Sequence, residues 1–285
     1  VFLKASQDAY VDGAGRIVTT GTKGGSVEVL GNRVAVMDSA SIDASGTGDG
    51  GSIKVGGDYQ GKNPDVQNAT VTYFGPDASL KADAGSVGAG GTVIVWADDT
   101  TRAYGSISAR GGATGGDGGF VETSGKAYLS VDGIKVDTRA PQGQVGTWLL
   151  DPSDITITAG GSTTAASTPV PSNPPGSIPD TAQFTTSAGS SSTISDTTIT
   201  SQLTTSDVVI HTAGGTGGSG NITVNAGVNI VAGSSGWALT LAADGSGGPT
   251  GGNINITNST INVDDGVTML AGWNGVMPPY DSDGN

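Results

Sequence analysis

The side chains in this sequence that could do chemistry are few and scattered. There is one histidine, His211, and no cysteine, so a zinc or thiolate site has no ligand set to draw on. A lone histidine of this kind reads first as a strand-end residue. Of the 26 acids only Glu28 and Glu122 are glutamates. The aspartates sit largely beside Gly, Ser, Asn or Thr, where a short carboxylate closes a turn onto the backbone. The densest oxygen donors are Asp264-Asp265 and the closing Asp281-Ser282-Asp283-Gly284-Asn285. Asp281, Asp283 and Asn285 have the alternation that opens a calcium-binding loop, but the sequence ends before a closing carboxylate. No cofactor is expected, calcium excepted.

Four stretches match the N-glycosylation acceptor pattern, at Asn68, Asn221, Asn255 and Asn258, in a chain whose wealth of Asn, Ser and Thr produces such matches by chance. Trp96, Trp148, Trp237 and Trp273 have rings that would stack on sugars, yet each stands in or beside an apolar strand, where buried area is the more valuable use of an indole. A polysaccharide lyase would need clustered carboxylates beside a Lys or Arg base. The second half of the sequence holds no such cation, and no cluster of that kind is evident in the first. The expectation is a protein that is not an enzyme. The step Asp151-Pro152 reads as a turn that ends a strand, with a processing point as the alternative.

Charge and composition narrow the class further. The net charge is −14, which repels nucleic acid and anionic lipid surfaces. All 12 cations lie between Lys4 and Arg139, among 16 acids; from Ala140 onward there are ten acids and no Lys or Arg. Fifty glycines in 285 residues, with aromatics at only 5%, argue against a core built on large rings. No apolar run approaches the ~18 residues a membrane-spanning helix needs. The opening Val1-Phe2-Leu3-Lys4-Ala5-Ser6 has neither a basic head nor a cleavage site. The chain therefore reads as a segment of something longer.

The elements that must position these residues are short strands on a loose repeat. Gly24-Gly25, Gly50-Gly51, Gly90-Gly91 and Gly118-Gly119 each precede an alternating strand, at intervals of 26, 40 and 28 residues, and a further 28 leads to Gly146 before Thr147-Trp148-Leu149-Leu150. Further strands recur between them, at Arg33–Met37, Ala78–Ala82 and Ser106–Arg110. A unit of this length cannot bury its own apolar face and must share a core with its neighbours. Coils stacked ~4.8 Å apart meet that need, so the expected fold is all-β, a right-handed parallel β-helix (solenoid) of ~10 to 12 coils. The expected divisions are 1–157, coils with these motifs; 158–192, a Gly/Ser/Thr/Pro-rich excursion holding five prolines between Pro169 and Pro179; and 193–285, further coils. Ser195 is placed to cap a short helical turn carrying Ile199 and Leu203 on one side. Gly220-Asn221-Ile222-Thr223-Val224 and Gly252-Asn253-Ile254-Asn255-Ile256 repeat at 32 residues, a spacing that invites asparagine ladders between coils.

Several long motifs occur in order: Gly90-Gly91-Thr92-Val93-Ile94-Val95-Trp96, Gly105-Ser106-Ile107-Ser108-Ala109-Arg110-Gly111-Gly112, Gly118-Gly119-Phe120-Val121-Glu122-Thr123-Ser124-Gly125, and Gly146-Thr147-Trp148-Leu149-Leu150-Asp151-Pro152-Ser153-Asp154-Ile155-Thr156-Ile157. In these the chain resembles the large exoproteins of the filamentous haemagglutinin type, exported by two-partner secretion. The resemblance implies a secreted or cell-surface location, an outer-membrane transporter as partner during export, and a place after the N-terminal secretion domain. It implies a surface adhesin that binds a cell-surface glycan or protein receptor. On this scaffold the corner loops 58–72 and 158–192 are the expected binding elements. A passive stalk displaying a distal binding or toxin domain is the alternative, and a lyase-like enzyme the third.

Overall fold

The computed structural model describes residues 1–160, 191–213, 218–233, 236–245 and 251–273. It is mostly β, in long parallel sheets. The first sheet has nine strands: Phe2–Lys4, Ser26–Leu30, Ser52–Val55, Thr92–Ala97, Phe120–Gly125, Thr147–Leu150, Asp207–Thr212, Leu239–Asp244 and Val267–Trp273. The second begins with Asp8–Val11, Arg33–Val36, Val71–Phe74, Thr100–Ala103 and Tyr128–Ser130, and the third holds Arg16–Val18, Ser41–Asp43, Ser79–Lys81, Ser106–Ser108 and Lys135–Asp137. Through these strands the chain visits the three sheets in rotation, and every third strand returns beside its predecessor. Among the described residues the first sheet contains nine such strands.

Alternation explains why these segments are strands. Successive side chains point to opposite faces, so Ser26 and Glu28 point outward while Val27 and Val29 are fully buried. The register carries that parity along the whole sheet. Val27 lies beside Ile53, then Val93, Val121, Trp148, Val208 and Leu239 in turn. All seven are 0% exposed, and each such side chain contributes roughly 1.5–3 kcal/mol of transfer free energy. The glycine pairs open each of these strands for a steric reason. A Cβ at Gly50 would overlap the Ala82 carbonyl oxygen and the Gly91 nitrogen of neighbouring turns, and one at Gly118 would overlap the Thr138 carbonyl oxygen and the Gly146 nitrogen.

Two insertions shape the rest. The ends of the expected excursion are held together: Ile155–Thr158 and Ser192–Ser195 are adjacent parallel strands in the second sheet, with Ile155 opposite Ser192 and Thr158 opposite Ser195. The returning strand slots between Tyr128–Ser130 and Ile155–Thr158, so the sheet gains a strand out of chain order. Ser195 then caps the helix Asp196–Gln202, its side chain accepting from the Thr198 N–H, and Ile199 and Leu203 are buried as the sequence leads one to expect.

That helix closes the third sheet. The Gln202 side chain accepts from the Val136 N–H at 2.7 Å and donates to the Ile134 carbonyl at 3.2 Å, replacing the missing next strand with its own amide. Beyond the helix a two-stranded sheet, Asn229–Ala232 with Thr260–Val263, takes over. Gln202→Ala would leave two buried backbone groups without partners, which costs about 2–4 kcal/mol. Equilibrium urea unfolding should show that loss, and an unchanged midpoint would mean the amide does not substitute for a strand. No helix among the described residues is long and apolar enough to cross a membrane.

Candidate functional site

The 40-residue interval between Gly50 and Gly90 contains an insertion that does not project from a corner. From Gly57 to Asn68 the chain lies down on the outward face of the first sheet as a strap. Local turn chemistry folds it. Asp58 caps the short 3-10 turn Tyr59–Gly61, its side chain accepting from the Tyr59 N–H, and Gln60 adopts a left-handed φ of 52°. Asp58 also binds the Lys54 ammonium at 2.7 Å and the Asn63 amide at 2.6 Å. Burial works against its ionised form, but Lys54, Asn63 and the Tyr59 N–H together hold its carboxyl below the ordinary range.

Tertiary contacts pin the strap down. Gly61 packs against the Trp96 indole so closely that a Cβ would meet the ring at 2.6 Å. The Tyr59 ring meets Phe120 edge-on, with centroids 5.8 Å apart. Asn68 donates to the Gly61 carbonyl and to Asp98. Corner loop 58–72, expected as an exposed binding loop, is thus partly buried against the sheet; Asp58 is only 8% exposed. The outward side chains of the first sheet beneath it, Ile94, Trp96, Phe120 and Leu149, supply an apolar seat that the alternation of each strand creates.

Beneath the strap lies a group of buried polar side chains that sequence patterns alone do not bring together. The Gln60 N–H points at both carboxyl oxygens of Glu122, at 3.2 and 3.1 Å, while its side-chain amide donates to Asp151 at 2.8 Å. Asp151 in turn bonds His211 Nδ1 at 2.8 Å. Glu122 is 0% exposed, Asp151 2% and His211 6%. Burial and the adjacent Asp151 push the Glu122 carboxyl up to about 8, against the pull of the Gln60 N–H and the Ser124 hydroxyl; Asp58 adds a smaller upward push. A carboxyl kept neutral beside a second carboxylate is the pattern of an acid–base pair, but Gln60 covers this one and a substrate has no path to it while the strap is closed. Among the described residues no three His, Cys, Asp or Glu side chains are grouped to hold a metal ion.

Next to the strap a groove of about 770 Å³ runs across the glycine-pair starts of successive strands. Its floor is backbone, because Gly24-Gly25, Gly50-Gly51, Gly90-Gly91 and Gly118-Gly119 carry no side chains to fill it. Lys23, Asp49, Lys54 and Asp117 line it, and Asp58 and Tyr59 of the strap contribute to one wall. A smaller cleft of about 580 Å³ is lined by Arg110, Arg139, Gln144, Asp207, Trp237 and Asp265.

The residues singled out from sequence fall in different places. Asp281, Asp283 and Asn285, the expected calcium ligands, lie outside the described residues, as does most of the 158–192 excursion. The Asn68 amide nitrogen is occupied by two acceptors. Asn221 accepts from the backbone and side-chain nitrogens of Asn253, at the head of the neighbouring strand, which is the ladder that their 32-residue spacing suggested. Asn255 and Asn258 are exposed. Trp148 is interior and Trp96 is buried under the strap, whereas Trp237 is half-buried at the smaller cleft. His211 stands next to last in its strand, as expected of a strand-end histidine, and its Nδ1 bonds Asp151; the carboxylate beside Lys54 is Asp58. Strand parity already turns Glu122, Asp151 and His211 outward; what no local signal carries is that a strap from far earlier in the chain covers Glu122 and Asp151. No family model matches this sequence, and no curated protein matches it.

Proposed function

We propose that this chain is a right-handed parallel β-helix from a large secreted bacterial surface protein of the filamentous haemagglutinin type, and that it acts as an adhesin. Its receptor, a cell-surface glycan or protein, would lie in the strapped groove. The groove itself is the observation that carries this reading: a polar backbone floor, Lys and Asp side chains along it and an aromatic strap residue at its wall are the parts from which sugar and peptide sites are built. A negative surface of −14 disfavours nucleic acid as the partner. The unbroken stack of the first sheet equally suits a stalk that spaces a distal domain from the cell.

Titration of the purified chain against glycans, matrix proteins and whole cells, with calcium and with chelator, separates these readings. An adhesin gives saturable binding that the double variant Lys23→Ala, Tyr59→Ala weakens about tenfold, or ~1.4 kcal/mol, with an unchanged far-UV spectrum. Absence of binding to every probe would replace the adhesin with the stalk, and release of oligosaccharide from acidic glycans would replace it with an enzyme.

A further inference from the structure

The strap lies shut over a buried carboxyl whose two protonation states are not equally compatible with burial. Its central residue, Gln60, bonds Glu122 through its backbone and Asp151 through its side chain, so two carboxyl groups converge on one loop. Neither forms an ion pair with a Lys or Arg among the described residues. Lys54 is committed to Asp58 at 2.7 Å and stands 4.0 Å from Glu28, and Lys62 of the strap donates to the Gln60 side-chain oxygen at 2.6 Å. His211 faces Asp151. The strand Thr92–Ala97 presents Ile94, which carries no charge, directly opposite Glu122. The following strand presents Leu149, and the strap itself contributes the carboxylate of Asp58 and, on the far side of the Gln60 amide, the ammonium of Lys62. An ionised Glu122 would therefore be a desolvated charge among acids, with one N–H and one hydroxyl to stabilise it.

We propose that residues 57–68 form a latch that closes on the first sheet only while the Glu122 carboxyl is uncharged, and that loss of that proton lifts the strap and uncovers Trp96, Phe120 and Leu149. The proposal does not depend on what the groove binds, although opening would move Asp58 and Tyr59 out of the groove wall.

The direction of the pH dependence follows from linkage. Glu122 titrates at about 8 with the strap closed, against an ordinary value of 4.5 once solvated. A raised value in the closed state means that closure is fully favoured below about 4.5 and is progressively lost as pH rises toward about 8, levelling off above it. Within that window the open population should grow about tenfold per pH unit. Gln60, held at a φ of 52°, would regain ordinary backbone freedom on opening.

Hydrogen exchange at the Gln60 and Gly61 amides tests this, corrected for the intrinsic rate and read against the Val93 and Val121 amides of the sheet interior. In the unaltered chain, protection at the strap should fall with pH from 5.5 to 7.5 while the interior amides stay protected. Glu122→Gln, which keeps the shape and removes the ionisation, should abolish that fall. Asp151→Asn, which removes the neighbouring charge, should move its end point to lower pH. A strap whose protection is independent of pH in the unaltered chain would overturn the latch. So would the same pH profile in Glu122→Gln, or interior amides that lose protection together with the strap. Trp96 emission, reporting the Gly61 contact, gives the same reading in the unaltered chain if a variant fails to fold.

Discussion

Replacing Trp148 by alanine should lower the unfolding free energy by about 3–5 kcal/mol, more than any other single truncation in the core. Trp148 is the largest fully buried side chain. It sits midway along the interior column of the first sheet, between Val121 and Val208, and its Nε1–H donates to the Thr123 hydroxyl at 2.9 Å. Truncation would leave a ring-sized void beneath the first sheet that cannot collapse, because each neighbour is fixed by a parallel ladder on both sides. It would also strand a buried hydroxyl. Trp148→Phe keeps most of the volume and loses the hydrogen bond, and should cost about 1–2 kcal/mol. Chemical denaturation of the three proteins side by side checks both numbers. Equal midpoints for the alanine and phenylalanine variants would show that cavity volume is not what matters at this position.

The second large effect is expected at a glycine. Gly50→Ala should destabilise by on the order of 3 kcal/mol, because the added methyl would run into backbone atoms of the adjacent turns at Ala82 and Gly91. Backbone cannot move aside as a side-chain end can, so the strand spacing itself has to open. Gly133 makes the contrast. It has a φ of 83°, and a Cβ there would have nothing within 4 Å, so an alanine meets only the left-handed backbone penalty of about 1 kcal/mol. The two substitutions are chemically identical. Their melting temperatures should separate clearly, and similar values would refute the claim that the glycine pairs are set by contact between turns.

The strap does two things in the structure. It forms part of the groove wall through Asp58 and Tyr59, and it covers Glu122 and Asp151 through Gln60. A buried acid group is costly unless it is neutral or well partnered, and here the cost appears as the raised titration of Glu122 and not as an open cavity. The strap is therefore where binding and solution conditions would meet.

Much of the architecture is written locally in the sequence. The glycine pairs mark strand starts that pair in the structure, from Ser26 beside Ser52 to Phe120 beside Thr147, because steric exclusion of a Cβ and the two-residue side-chain period both act within a few residues. The Ser195 cap and the Asn221–Asn253 ladder were legible for the same reason: each needs only a local side chain or one fixed coil spacing. The return of the excursion was not legible, since nothing near Ser192 announces that it will slot in behind Ile155. Nor was the candidate site. Gln60 reaches Glu122 across 62 residues and Asp151 across 91, while Asp151 reaches His211 across 60. Strand parity told which way each of these side chains points. Whether water or a folded strap lies on that side was decided by tertiary structure alone, because burial is a property of what packs above a residue and leaves no period in the sequence.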